Sequence, residues 1–467
     1  MMIKKLVFLL ESKYYKNNKT AAFINNSKQF LDPKIIPLIY AYSSKGISLK
    51  TDNVIHNGEV LDFAGQTVTC ILGQNDPWVV ANMIAFLLSG RPSFLSTKIG
   101  QEIYFTLPKK IKDISKMNED CFVNHRLNNG SDAIDFAINL AYEYSRGKKK
   151  LISFKGSYHG QGHLPYGASH LQSHRRFFGT FDTIFLDAPS HTKDINRDQK
   201  LSKNDSNILE KLTLIGKDAF AVIIEPIQFN NNGNTPTRIF LQNLRSECNR
   251  LDIPLIFDEV QTGWGWLGKM TASEYYGVWP DIMVVSKSLT AGYGPLSAVI
   301  ARRKFSFTDA FGARTNGADV RSLVAALAVI DRLIGTRDIP VEIIDSQLGK
   351  ELKSGLLIDF EFKQQILMQQ IKKLRKEVNS EAKHIRIGQI KGNGLARMIE
   401  IQDKNRHFNS KLTKQIQKKL LIDGGVFVRL PSNNDEVHTL FIKMPIVASE
   451  NQIKDGFQRM KEIMIHI

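Results

Sequence analysis

Five strand-length apolar runs in the middle of the chain, Leu151–Phe154, Thr183–Leu186, Ala221–Glu225, Leu255–Asp258 and Ile282–Val285, constrain its fold more than any other feature. Several are nearly continuous in Val, Ile, Leu and Phe, the pattern of strands covered on both faces. Helix-period segments lie between them. Ser131–Tyr144 places Ala133, Ile134, Ala137, Ile138 and Ala141 on one face; Arg238–Asp252 has apolar positions at Ile239, Leu241, Leu244, Cys248 and Leu251. Strand alternating with helix predicts an α/β domain built on a mostly parallel sheet.

The character changes after about residue 345. A Lys/Gln-rich amphipathic pattern predicts one long helix over Gln347–Val378. Short segments follow near Ile385–Ile401 and Val426–Leu430, and a last helix after Glu450. The expected organisation is therefore a large domain over 61–340 and a smaller α+β domain over 341–467, with an N-terminal segment, 1–60, packing against the smaller one. A chain of 467 residues is long enough to bury a core of this extent.

The formal charge of +17 raises the question of nucleic acid. The lysines are spread from Lys4 to Lys461, with denser groups at Lys148–Lys150, Lys372–Lys376 and Lys414–Lys419. No helix-turn-helix, finger or aromatic-interleaved basic motif accompanies them, so solvated lysine faces are expected, an acidic partner or substrate is the alternative, and nucleic acid is not expected. No apolar run reaches the roughly 18 residues that span a bilayer; Val79–Leu88 reads as a buried helix. The start, MMIKKLVFLL, mimics a signal peptide, but Glu11 and Lys13 interrupt it and no small-residue cleavage site follows. A cytoplasmic protein is expected. Cys70, Cys121 and Cys248 are odd in number and scattered, which predicts buried or half-buried free thiols, neither a disulfide framework nor a metal cluster.

Asp258 ends the apolar run PLIFD, and Lys287 follows the run DIMVVS. Ligands of parallel α/β sheets gather at the carboxyl ends of strands, so both side chains are expected in one crevice. An acid and a lysine so placed are what pyridoxal-5'-phosphate (PLP) chemistry requires: a lysine to form a Schiff base and move a proton, and a carboxylate to keep the pyridine nitrogen protonated. A surface Asp and Lys at this separation would be ordinary. Their apolar context argues otherwise, because an ionised group at the end of a buried strand is costly without a partner.

NNGSDA, 128–133, opens a predicted helix. Gly130 permits close backbone approach, Ser131 and Asp132 suit a helix start, and free amides there favour a phosphate; a plainly capped helix has the same signature. In FKGSYHGQGH, 154–163, Tyr158 follows a strand between glycines, where its ring could stack on a cofactor or fill a core. His159 and His163 are four apart, but Gly160 and Gly162 argue against a metal-binding helix.

NNGSDA, FKGSYHG, IIEPIQ, LIFDEVQTGWG, PDIMVVSKSLTAGYGPLSAV and ALAVID occur in an order and spacing that resembles the class III PLP-dependent aminotransferases. These are fold-type-I enzymes related to ornithine, 4-aminobutyrate and ω-amino acid aminotransferases and to glutamate-1-semialdehyde aminomutase. The resemblance runs from about Gly46 to the C-terminus. It implies PLP as cofactor, Lys287 as the Schiff-base lysine and Asp258 as the partner of the pyridine nitrogen. It further implies Val260 beneath the ring, Gln261 facing its phenolic oxygen and Tyr158 over the other face. Gly130 and Ser131 would hold the phosphate, helped by Thr315 across a homodimer interface, with Glu225 beside the cofactor near Asn129.

The chain departs from the family in the substrate half of the site. Phe229 and Asn230 stand where many members have Gly-Glu after EPIQ, and Phe441 stands where users of α-amino acids carry an arginine. Trp266 occupies a position where arginine is common, and ARTNGADV lacks the usual Gly-Asn-Pro after the threonine. The expected function is two-step amino transfer from an amine donor to an aldehyde or ketone, free or carried on a peptide or carrier protein in biosynthesis. Loss of a bidentate arginine predicts an apolar pocket at Phe441 and a substrate that is not a free α-amino acid held in the usual way, unless Lys443 or Arg429, close in sequence, supplies the cation. An aminomutase is the nearest alternative; a non-catalytic binding protein of the same fold is a distant one.

Overall fold

A computed structural model of the protein describes residues 28, 31–32, 37–39 and 41–467, apart from 53–54, 118–119, 146, 172–181, 197–199, 307–311 and 433–436. The stretch weighed above as a signal peptide lies outside these residues. Among the described residues no helix is long and apolar enough to cross a membrane.

The apolar runs form strands close to where the sequence places them. The large sheet consists of β4 (Cys121–Leu127), β5 (Lys150–Phe154), β6 (Asp182–Leu186), β7 (Ala219–Ile224), β8 (Leu255–Asp258), β9 (Ile282–Val285) and β10 (Ser297–Arg302) in the order β4-β10-β9-β8-β7-β5-β6. The pairs from β9 through β6 are parallel, and β10 runs antiparallel to both its neighbours. Alternate residues of each strand serve the two faces. Ile152, Phe154, Ile224, Leu255 and Phe257 pack with Phe240, Leu241 and Leu244 of the helix Arg238–Arg250. Leu151, Ile223, Ile256, Ile282 and Val284 pack with Ala133, Ile134, Ala137 and Ile138 of the helix Gly130–Tyr144. Each such fully buried side chain contributes about 1.5–3 kcal/mol, so the two faces fix the register of the sheet.

Two smaller sheets accompany it. β1 (Ala41–Lys45), β2 (Ser48–Thr51) and β3 (Glu59–Asp62) join β13 (Val426–Phe427), tying residues near the start of the described chain to residues near its end. β11 (Ile385–Lys391), β12 (Ala396–Asp403) and β14 (Thr439–Lys443) form an antiparallel sheet. Helices Phe360–Glu381 and Glu450–Ile465 pack on each other beside it.

Two sequence expectations are corrected. The long helix over Gln347–Val378 is broken into Gln347–Ser354, a short turn over Leu356–Asp359 and Phe360–Glu381. Gly355 causes the break: its φ is +74°, and a Cβ there would lie 2.5 Å from the carbonyl carbon of Ile334, so the chain turns against a neighbouring backbone. The apolar run near Val79–Leu88 is a helix, Pro77–Leu88, but not a buried one. Ile84, Leu87 and Leu88 are 47%, 60% and 69% exposed. All three cysteines are buried and free, as expected, and burial pushes the Cys70 and Cys248 thiols up to about 12.

Candidate active site

The parallel strands share one carboxyl edge, and the segments leaving it converge on a cavity of about 390 Å³. β4 delivers Asn128, Asn129 and Gly130; β5 delivers Tyr158 and His159; β7 delivers Glu225; β8 delivers Asp258, Val260 and Gln261; β9 delivers Ser286 and Lys287. Antiparallel β10 begins at the same edge, so Pro295 and Leu296 line the cavity from the opposite direction.

At one wall the helix Gly130–Tyr144 begins. The Asn129 side chain caps it, accepting from the Asp132 amide at 3.0 Å. The Gly130 and Ser131 amides at this terminus lie at the cavity, where the helix dipole favours an anion. Close packing requires the glycines here. A Cβ on Gly130 would lie 3.1 and 3.2 Å from the Val260 methyls, and one on Gly160, at φ +122°, would lie 2.4 Å from Ser131 Oγ. That hydroxyl accepts from the Gln161 amide at 3.1 Å, which binds the glycine loop to the helix start.

At the centre, Asp258 Oδ2 lies 2.7 Å from His159 Nδ1, and Oδ1 accepts from the Val260 amide at 3.1 Å. Glu225 accepts from the Tyr158 amide at 2.9 Å; burial, then the Asp258 charge, pushes its carboxyl well above the usual range. Lys287 adopts φ +45°, a left-handed conformation uncommon for a side-chain-bearing residue and often found where a group is held for function. Burial pushes its ammonium down to about 8, against the carboxylates of Asp258 and Glu225 and aided by Arg429. The arrangement offers an amine near its titration point, a fixed carboxylate and a helix N-terminus in one cavity.

The expected residues Gly130, Ser131, Tyr158, Glu225, Asp258, Val260, Gln261 and Lys287 all line this cavity. Thr315 does not; it is exposed in a segment following 307–311. Phe441, Asn230 and Trp266 are buried outside the residues that line it. Phe441 stacks on Phe229 with centroids 5.3 Å apart, and Asn230 Oδ1 accepts from the Ser432 amide at 3.0 Å. Trp266 Nε1 donates at 2.6 Å to Ser288 Oγ, which donates to the carbonyl of Thr69 on the cavity wall. His159, which lines the cavity against Asp258, was not among the expected site residues; its place beside Tyr158 in the strand-end loop was the available signal. Thr67 and Thr69 carried none, since they enter through a loop distant in sequence from the motifs; Thr290 lies within the Lys287 motif and was not singled out.

The class-III aminotransferase family model matches residues 44–464, nearly the whole described chain. The chain belongs to the class-III aminotransferases. PLP is the cofactor of this family, and the residues present fit it: a cavity amine, a buried carboxylate with a histidine behind it, and an open helix terminus at the other end. A putrescine aminotransferase of Pectobacterium atrosepticum is 33% identical over 224 residues, 46% of this chain and 45% of that protein. A putative [LysW]-aminoadipate semialdehyde/glutamate semialdehyde transaminase of Pyrobaculum aerophilum is 32% identical over 232 residues, 48% of this chain and 55% of that one. These matches span about half the length of either relative. A Bacillus anthracis aminotransferase crystal structure superposes with a TM-score of 0.79 at 19% identity, covering 97% of this chain and 100% of that one, which shows the fold-type-I α/β architecture.

Proposed function

We propose that this class-III aminotransferase moves an amino group from an amine donor to an aldehyde or ketone acceptor in biosynthesis, with Lys287 as the proton-moving amine. The observation that carries the reading is that Lys287 and Asp258 reach one cavity from adjacent parallel strands, β9 and β8. Bound PLP would supply an electron-withdrawing ring that lowers the barrier to breaking a bond next to the substrate nitrogen. Asp258 would hold the positive charge on the ring nitrogen, and His159 would orient Asp258. Gly130 and Ser131 would bind the phosphate. Tyr158 and Val260 would wall the two ring faces, with Gln261 at the phenolic oxygen and Glu225 at the edge. Lys287, with its ammonium pushed down to about 8, would take and return the proton near neutral pH.

A homodimer fits this reading. Within residues 84–105, Ile84, Leu87, Leu88, Phe94, Ile99 and Phe105 are all exposed, from 47% to 74%. Large apolar groups concentrated in this way mark an association surface, and Thr315, exposed in this subunit, would complete the partner's phosphate site. The relatives' names span a diamine and a carrier-linked semialdehyde, which supports a carbonyl on either a small molecule or a carrier as acceptor. A screen of amine donors against carbonyl acceptors, with PLP added, tests the function. Amine transfer that requires an acceptor is expected; turnover that proceeds without one would belong to an aminomutase, and none with any pair would defeat the reading.

A further inference from the structure

Beside the cavity, outside the residues that line it but close enough for its charge to reach Lys287 and Tyr158, lies a cation without a counter-ion among the described residues. Arg429 and Phe441 exchange both main-chain hydrogen bonds, Arg429 N to Phe441 O at 3.0 Å and Phe441 N to Arg429 O at 2.8 Å. Residues directly opposite in such a pair project from the same face, their Cα atoms about 5.5 Å apart. Arg429 therefore occupies the cross-strand neighbour of the position where a carboxylate-binding arginine was expected and Phe441 is found.

Lys443, the other candidate cation, is unavailable. It is fully buried, and its Nζ donates to the Gln261 carbonyl at 2.5 Å. The rings of Trp266 and Phe229 lie 4.4 and 5.2 Å from it. A ligand would have to displace that packing to reach the amine.

Arg429 differs in each respect. It is half-buried, and no carboxylate pairs with it among the described residues. The groups that feel its charge are the Tyr158 phenol and the amines of Lys287 and Lys443, two of them on the cavity wall. Partial burial of a guanidinium beside two amines is unfavourable unless an anion joins it. A guanidinium fork matches a carboxylate in shape and charge.

We propose that Arg429 holds a carboxylate of the substrate, so that the acid clamp has moved across the strand pair. This inference rests on the aminotransferase reading and narrows its substrates to acids. The PLP-loaded protein is titrated with butyrate and with butyramide, which differ in charge and carry no amine to transfer; tryptophan fluorescence and the cofactor absorption report binding. Butyrate is expected to bind roughly ten- to a hundredfold more tightly than butyramide, the range for a hydrogen bond to a charged group. Arg429→Gln should level the two, and Arg429→Lys should restore part of the difference. Equal binding of acid and amide by the wild-type protein, or an acid preference that survives Arg429→Gln, overturns the assignment. Because binding is read without turnover, failure here is distinct from failure of the donor–acceptor screen.

Discussion

His159 Nδ1 lies 2.7 Å from Asp258 Oδ2, joining a loop after β5 to the end of β8, 99 residues later in the chain. Both side chains are buried, and His159 Nε2 has no hydrogen-bond partner among the described residues. The imidazole sits behind the carboxylate, fixing one of its oxygens while the Val260 amide fixes the other. A hydrogen bond to a charged group contributes about 1.5–3 kcal/mol. His159→Asn should slow amine transfer roughly tenfold to a hundredfold while the cofactor remains bound. As a positioning residue, His159 should also alter the pH at which the cofactor's absorption changes. A variant with reduced rate and an unmoved transition would show that His159 serves only the packing.

Borohydride treatment of the PLP-loaded protein should bleach its visible absorption and leave the pyridoxyl group covalently on Lys287. Peptide mapping reads the result. A label on another lysine, or none, would remove Lys287 from its assigned role.

The Lys287 amine carries a pH signature. Burial favours the neutral form, so the ammonium predominates below about pH 8 and the free amine above it, against 10.5 for an ordinary lysine. The rate at which the PLP-free protein takes up PLP should therefore rise with pH and level off above about 8. A rise continuing toward 10.5 would contradict the assigned environment.

Asp258→Asn should retain the fold and lower amine transfer by orders of magnitude, because a neutral amide does not stabilise a positive ring nitrogen. Single-turnover rates with an excess of donor give the comparison. A rate close to wild type would show that Asp258 does not act on the ring.

Gly160→Ala tests the phosphate wall. The added methyl would overlap Ser131 Oγ, and φ +122° is unfavourable for alanine. PLP affinity, measured by dialysis against limiting cofactor, should fall at least about tenfold, since even one lost hydrogen bond to a charged group has that effect. Unchanged affinity would place the phosphate elsewhere.

Leu87→Lys with Leu88→Lys tests the exposed apolar surface. Sedimentation should show a shift from dimer toward monomer, with weaker PLP retention if Thr315 completes the partner's site. A monomeric wild-type protein would exclude that contribution.

The sequence by itself determined the strands of the large sheet and the residues at their ends. Near-continuous apolar runs such as Leu255–Asp258 and Ile282–Val285 have one satisfactory environment, a sheet covered on both faces, and the groups that end them have one common edge. Where a side chain's role depended on what lies opposite, the sequence was silent. Gly355 broke a helix whose amphipathic pattern was continuous, because a neighbouring backbone occupied the place of its side chain. The helix Pro77–Leu88 is as apolar as a core helix, and packing alone determined that Leu87 and Leu88 lie outside. Lys443 and Arg429 were equivalent candidates in sequence for the cation absent at Phe441. Strand pairing set Arg429 opposite Phe441, and the Gln261 carbonyl with two aromatic rings enclosed Lys443. Local periodicity fixes which face a residue takes within its own element; the partner across that face comes from residues far away in the chain, and only the tertiary structure brings them there.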